Sequence, residues 1–193
     1  MNDTLRGFIM KNKVLLVDFR SSMRKMSALI LTSILIVAVS FPGEAAEKRK
    51  FKMTGTWKET VSQNAINPSD DPNHVMIQAA EKHAESSTNP DFNGIELLNF
   101  IQLDNYAGRG THRGYAIQVF PSGDRTYRKY EGTQQITVNP DGTFEGVGRG
   151  VNQFLGGTGK FAGIRGGASY TFKFGNAGGQ FSSTVEYLVE VEY

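Results

Sequence analysis

The sequence predicts an all-β fold, an antiparallel barrel or sandwich, preceded by an export segment. Three observations carry this reading. Apolar and polar residues alternate with period 2 over several stretches after residue 50. Turn-forming clusters separate those stretches at intervals of roughly 8–14 residues. No long helical periodicity appears in the C-terminal two thirds, which is the pattern of closed or stacked antiparallel sheets.

The N-terminal part reads as a processing signal. Residues 23–46, MRKMSALILTSILIVAVSFPGEAA, place Arg24 and Lys25 before an apolar stretch from Ser27 to Phe41, with small residues at Ala45 and Ala46. That is the layout of a secretory signal peptide cleaved near Ala46–Glu47. The alternative is a retained anchor, but the stretch falls short of the roughly 20 apolar residues a spanning helix needs. Translation is expected to start at Met23 or Met26, leaving residues 1–22 as an upstream extension. The expected domain is therefore 47–193, secreted or periplasmic, with no stable membrane span after processing.

Cleavage changes the charge balance. The 193-residue chain carries 21 basic and 19 acidic residues, a formal +2. Residues 1–46 take six basic and three acidic residues with them, leaving 15 against 16 and a net charge of −1. The apparent basicity belongs to the signal, and no basic stripe with interleaved aromatics marks a nucleic-acid partner. The absence of cysteine excludes disulfides, a thiol nucleophile and thiolate metal sites.

The elements follow in order. In 51–61, Phe51, Met53, Gly55, Trp57, Glu59 and Val61 share one face, opposite Lys52, Thr54, Thr56, Lys58 and Thr60. The stretch 62–94 is ambiguous. Its core, HVMIQAAEKH at 74–83, fits a short helix or a strand, and prolines at 68, 72 and 90 bracket it, so a mobile loop facing a ligand or a subunit is expected. Ile95–Leu103 is apolar on both faces, as a buried strand would be. Pro121–Asp124 should join a strand near 112–120 to one near 125–132. Asn139–Gly142 should join 133–138 to 143–151. Glycines from 156 to 163 break the chain before a strand carrying Tyr170, Phe172 and Phe174 on one face. Asn176–Gly179 leads to the last strand, where Val185, Tyr187, Val189 and Val191 share a face.

Motifs for established chemistries are missing. Gly159-Lys160 resembles the end of a phosphate-binding loop, but Phe154 stands at its leading glycine and Phe161 at its Ser/Thr. No G-x-S-x-G elbow occurs. The histidines lack metal-ligand spacing, so no metal site is expected.

Two constellations remain. Glu59 lies on the apolar face between Trp57 and Val61. Either it is a buried carboxylate with a raised pKa, suited to proton transfer, or the strand bulges there and the side chain reaches solvent. In DRTYRKYE at 124–131, Arg125, Tyr127, Lys129 and Glu131 share one face, and Thr126, Arg128 and Tyr130 the other. Tyr127 or Tyr130 is the expected internal hydrogen-bond donor. Glu59, Tyr127 and Tyr130 are thus the candidate catalytic residues. Trp57, Tyr106, His112, Tyr115 and Arg125 are the candidate ligand contacts.

One run is more specific. Gly156–Tyr170, GGTGKFAGIRGGASY, resembles the GGTGxFxGxxG signature of allene oxide cyclase-like and dirigent-like proteins, and YAIQVFPSGDRTYRKYEG at 115–132 resembles the paired strands preceding it in bacterial relatives. The resemblance covers about 110–175 well and 50–110 loosely. It implies a single antiparallel eight-stranded β-barrel of calycin type, often a homotrimer, with a central cavity for small hydrophobic or phenolic molecules and no cofactor. Two functions follow as expectations: a cofactor-free cyclisation or isomerisation, or non-catalytic binding on the same barrel. A third is a structural barrel filled by its own aromatics.

Overall fold

The computed structural model describes residues 47–68 and 70–193. The expected signal peptide and upstream extension lie outside the described residues. Eight strands form a closed barrel in which every strand pairs antiparallel with its sequence neighbours and β1 closes on β8. They are β1 (Lys48–Ile66), β2 (His74–Ser87), β3 (Ile95–Tyr106), β4 (Arg109–Val119), β5 (Arg125–Val138), β6 (Phe144–Gly157), β7 (Arg165–Gly175) and β8 (Ser182–Glu192). Closure pairs every strand on both sides, except that β1 beyond Thr56 is paired with β2 alone. Among the described residues, no helix is long and apolar enough to cross a membrane.

The alternation read from β7 and β8 holds. Tyr170 is buried and Phe172 and Phe174 half-buried, while Val185, Val189 and Val191 sit inside the wall. The expected loop at 62–94 is largely a strand. β2 runs in register with both β1 and β3, and only residues 67–73 connect it. Its inner face carries Glu81, His83 and Glu85, so polar residues stand where an apolar alternation would have announced a strand. The β3–β4 hairpin turns on Ala107 and Gly108, both at positive φ (48° and 76°), the geometry of a type I′ turn.

One end of the barrel is solid. Phe92 enters it on a short 3-10 turn (Pro90–Phe92), whose Asn89 side chain caps the Asp91 amide. Its ring packs within 4.8–6.2 Å of the rings of Phe51, Phe120, Phe154, Phe161 and Tyr193. Phe161 arrives on a second turn (Gly159–Phe161). Asp91 locks the plug to the rest. Arg49 Nη1 and the Tyr193 hydroxyl each donate to it at 2.9 Å, and Lys160 pairs with it from the other side. Those donors, Lys160 foremost, hold the Asp91 carboxyl below its usual range. At the opposite end, among the described residues, the ends of β1 and β2 and three hairpin connections surround an open cavity lined by Phe144, Phe172, Phe174 and Phe181.

Candidate functional site

The open half of the barrel holds a cavity of about 780 Å³. Val75, Ile77, Leu103, Ile136, Phe172 and Phe181 supply much of its wall, and this apolar surface with a few convergent polar groups is the usual make-up of a small-molecule site.

The first polar group comes from β4 and β7. His112 and Tyr170 lie three strands apart by connectivity, yet the His112 Nε2 and the Tyr170 hydroxyl are 2.6 Å apart. The register explains the reach. His112 stands opposite Gly132, Gly132 opposite Gly150, and Gly150 opposite Tyr170. Two glycines therefore fill the row between the two side chains. A Cβ on Gly132 would come within 2.7 Å of the imidazole, and one on Gly150 would strike the Tyr170 hydroxyl. The same device repeats toward the mouth, where Gly148 and Gly146 face Phe172 and Phe174.

The hydrogen-bond network fixes the tautomer. Gln134 Nε2 donates to Asn105 Oδ1 at 2.7 Å, so its Oε1 accepts, and the partner 2.6 Å away is His112 Nδ1. His112 thus carries its proton on Nδ1, and Nε2 accepts from the Tyr170 hydroxyl. Burial pushes the His112 pKa below its ordinary value, partly offset by the Gln134 bond, so the ring is neutral near pH 7. Burial likewise raises the Tyr170 phenol, which remains a donor.

A second group hangs from β5. The Tyr130 hydroxyl donates to Asn99 Oδ1 at 2.7 Å, and Asn99 Nδ2 donates to Glu81 Oε2 at 3.3 Å. Burial first, then the neighbouring Tyr170 and Glu81, raises the Tyr130 pKa well above its ordinary value. Its ring lies 6.2 Å from His112 and 6.3 Å, edge-on, from Tyr170. Gly114, opposite Tyr130 on β4, leaves the space for that ring.

At the inner end, between cavity and plug, a buried ion pair closes the site. Arg128 Nη2 donates to Glu85 Oε1 at 2.9 Å, with both side chains essentially without solvent contact. The other Glu85 oxygen accepts from Gln118, whose carbonyl accepts from the Thr126 hydroxyl at 2.6 Å. The guanidinium lies 5.2 Å from the Tyr187 ring centroid and 5.9 Å from that of Phe154 in the plug.

Of the eight residues singled out from the sequence, His112 and Tyr130 line this cavity. Trp57 faces inward, edge-on to the Phe181 ring at 5.2 Å. The other five are outside. Glu59 is corrected by a bulge: the β1–β2 register shifts between Trp57 and Glu59, so Lys58 is the extra residue and the face inverts. Glu59 points outward and pairs with Lys82 at 2.7 Å, while Thr60 takes the inner position. Tyr127 and Arg125 fall on the outer face of β5, because Thr126, Arg128 and Tyr130 are the inward set. Tyr115, 61% exposed, lies in an outer groove beside Lys129, and Tyr106, 58% exposed, packs against the His74 ring outside the barrel. Sequence reasoning missed Tyr170, Gln134, Arg128 and Glu85. The signal for Tyr170 was present in the glycines at 132 and 150, in frame with His112.

Among the described residues, no three His, Asp or Glu side chains come together as a metal-holding group. No family model matches the sequence, and no curated protein matches it.

Proposed function

We propose that this is an exported barrel that takes a small hydrophobic or phenolic molecule into its open half and guides a cofactor-free isomerisation or cyclisation of it. The observation that carries the reading is the cavity itself, with an apolar wall on which a neutral imidazole and two protonated phenols converge. Reactions of this class need shape, exclusion of water and a group that takes or returns a proton. His112 Nε2 is the basic atom, Tyr170 its attached donor, and Tyr130 a second donor. The GGTGKFAGIRGGASY run supports the same reading by resemblance, and a homotrimer is part of that expectation.

A specific observation favours the carrier reading as the alternative: both His112 nitrogens and the Tyr130 hydroxyl already have protein partners. The self-filled structural barrel is disfavoured by the volume left open.

Binding is tested with the neutral fluorophore N-phenyl-1-naphthylamine. A Kd of about 0.2 mM or tighter is expected, from roughly −0.3 kcal/mol per non-hydrogen atom of the probe. Val185→Trp, which fills the cavity from β8, should weaken it at least tenfold; equal affinity in the folded variant would remove the cavity as the site. Chemistry is tested on the small molecule the protein retains when purified from its source. Wild type and His112→Gln retaining the same isomer would leave a carrier.

A further inference from the structure

Among the described residues, four buried side-chain polar atoms have no hydrogen-bond partner: Trp57 Nε1, His83 Nδ1, Arg128 Nη1 and Asn152 Oδ1. Three of these side chains, His83, Arg128 and Asn152, line the same cavity. A buried polar atom left unpaired is destabilising, so three on one cavity wall are unexpected in a protein whose barrel is otherwise closely satisfied. Arg128 is the most informative. Its side chain is 2% exposed, it stands at the inner end of the cavity, and a guanidinium always carries its charge.

The surroundings specify what can accept a hydrogen bond from Arg128 Nη1. Its charge is already balanced, because Nη2 is bonded to Glu85, the Glu85 oxygens take Arg128 and Gln118, and the Tyr187 phenol stands against both partners of the pair. A ligand carboxylate at this point would set two anions against one cation in a site without solvent. Stripping that carboxylate of water would cost several kcal/mol, with Glu85 repelling it. An uncharged oxygen supplies the missing lone pair and leaves the charge balance as it stands. Hydrogen bonds from charged donors are the stronger class.

Building on the proposed binding function, we infer that the ligand enters with an uncharged carbonyl-type oxygen at its inner end, accepting from Arg128 Nη1, and that the cavity selects ketones or quinone-like molecules over carboxylic acids of the same shape. The apolar remainder then lies along the wall toward the mouth. The His112–Tyr170 pair stands on that path, two inward-facing positions beyond Arg128, since Ala116 faces Arg128, Gly114 faces Tyr130 and His112 faces Gly132. A carbonyl polarised by Arg128 makes its neighbouring C–H more acidic, which is the substrate chemistry a proton-moving imidazole requires.

The experiment is displacement of N-phenyl-1-naphthylamine at pH 8 by three matched probes: butylbenzene, butyrophenone and 4-butylbenzoate. Butyrophenone should compete at least about tenfold better than butylbenzene, and 4-butylbenzoate should be the weakest. Removing the charges together in Arg128→Met/Glu85→Met avoids stranding one buried ion; this variant should lose the preference for butyrophenone over butylbenzene. Butyrophenone binding no better than butylbenzene in the wild type would overturn the inference, as would 4-butylbenzoate binding tightest. The wild-type ranking decides the question even if the double variant does not fold. If the fluorophore itself fails to bind, the binding function falls first, which separates that failure from failure of the ketone preference alone.

Discussion

Replacing Gly146 with alanine should change the sign of its effect according to what stands opposite. Gly146 faces Phe174 directly across the β6–β7 ladder, and the atoms a Cβ would strike are those of the Phe174 ring. In the wild type, Gly146→Ala is an overpacking change and should destabilise by about 1–3 kcal/mol. Phe174→Ala alone should cost about 2 kcal/mol, roughly half the loss at a fully buried phenylalanine, because its ring is half-buried near the mouth. With the ring gone, the obstruction is gone too. Gly146→Ala should then stabilise by about 0.4–1 kcal/mol, since alanine restricts the unfolded chain more than glycine does. The coupling between the two sites should reach about 2 kcal/mol. Urea unfolding of the four proteins measures this, with the single tryptophan, Trp57, as reporter against the Phe181 ring. Equal destabilisation by Gly146→Ala in both backgrounds, within about 0.5 kcal/mol, would refute the idea that these glycines exist to seat aromatic rings.

Glu59→Gln should leave the melting temperature and fluorophore affinity unchanged, because Glu59 faces solvent; deletion of Lys58, which removes the bulge and turns Glu59 inward, should lower both. His112 is held neutral, with its folded pKa below the unfolded value of about 6.5. The stability this represents is therefore complete above that value and declines as pH falls, since the unfolded chain gains a proton the folded one refuses. Urea midpoints at pH 7.5 and 5.5 should differ less in His112→Gln than in wild type. Asp91 titrates in a lower window: its lowered folded pKa gives stability that is present above about pH 3.9 and lost as pH falls through the folded value. Asp91→Asn should lose stability at neutral pH and show a flatter acid limb in the same measurement.

How legible the molecule was in its sequence depended on what each strand puts inside. β7 and β8 present Tyr170, Phe172, Phe174 and a valine series to the interior, and their alternation identifies them. β2 alternates Val75, Ile77 and Ala79 and then presents Glu81, His83 and Glu85, whose burial is made tolerable by partners on β3, β4 and β5, so its apolar pattern stops halfway and fits a short helix as well as a strand. In β1 the alternation was read correctly as far as Trp57. One unpaired residue, Lys58, then inverts the face, and period 2 alone could not decide between that bulge and a buried carboxylate at Glu59. On β5 both faces hold a tyrosine and a cation, so residue type alone could not choose between Tyr127 and Tyr130. The choice was encoded two residues away, in Gly132 and Gln134, which share the inner face with Arg128 and Tyr130. Some glycines serve turns, as Gly108, Gly123 and Gly142 do at positive φ, but those of β4, β5 and β6 make space for the rings and imidazole that build the site.

The two ends of the barrel wall meet at the plug. Lys48 lies opposite Glu192, and the Arg49 guanidinium sits 4.6 Å over the Tyr193 ring. The first and last strand residues of the barrel therefore lie at the side away from the mouth. A sensor surface, a fluorescent fusion or a purification handle placed there leaves ligand entry unobstructed. Joining the two ends by a short linker and reopening the chain at Asn139–Gly142 would preserve every strand pairing while moving both termini to the rim, turning ligand entry into an event that a fused reporter feels directly.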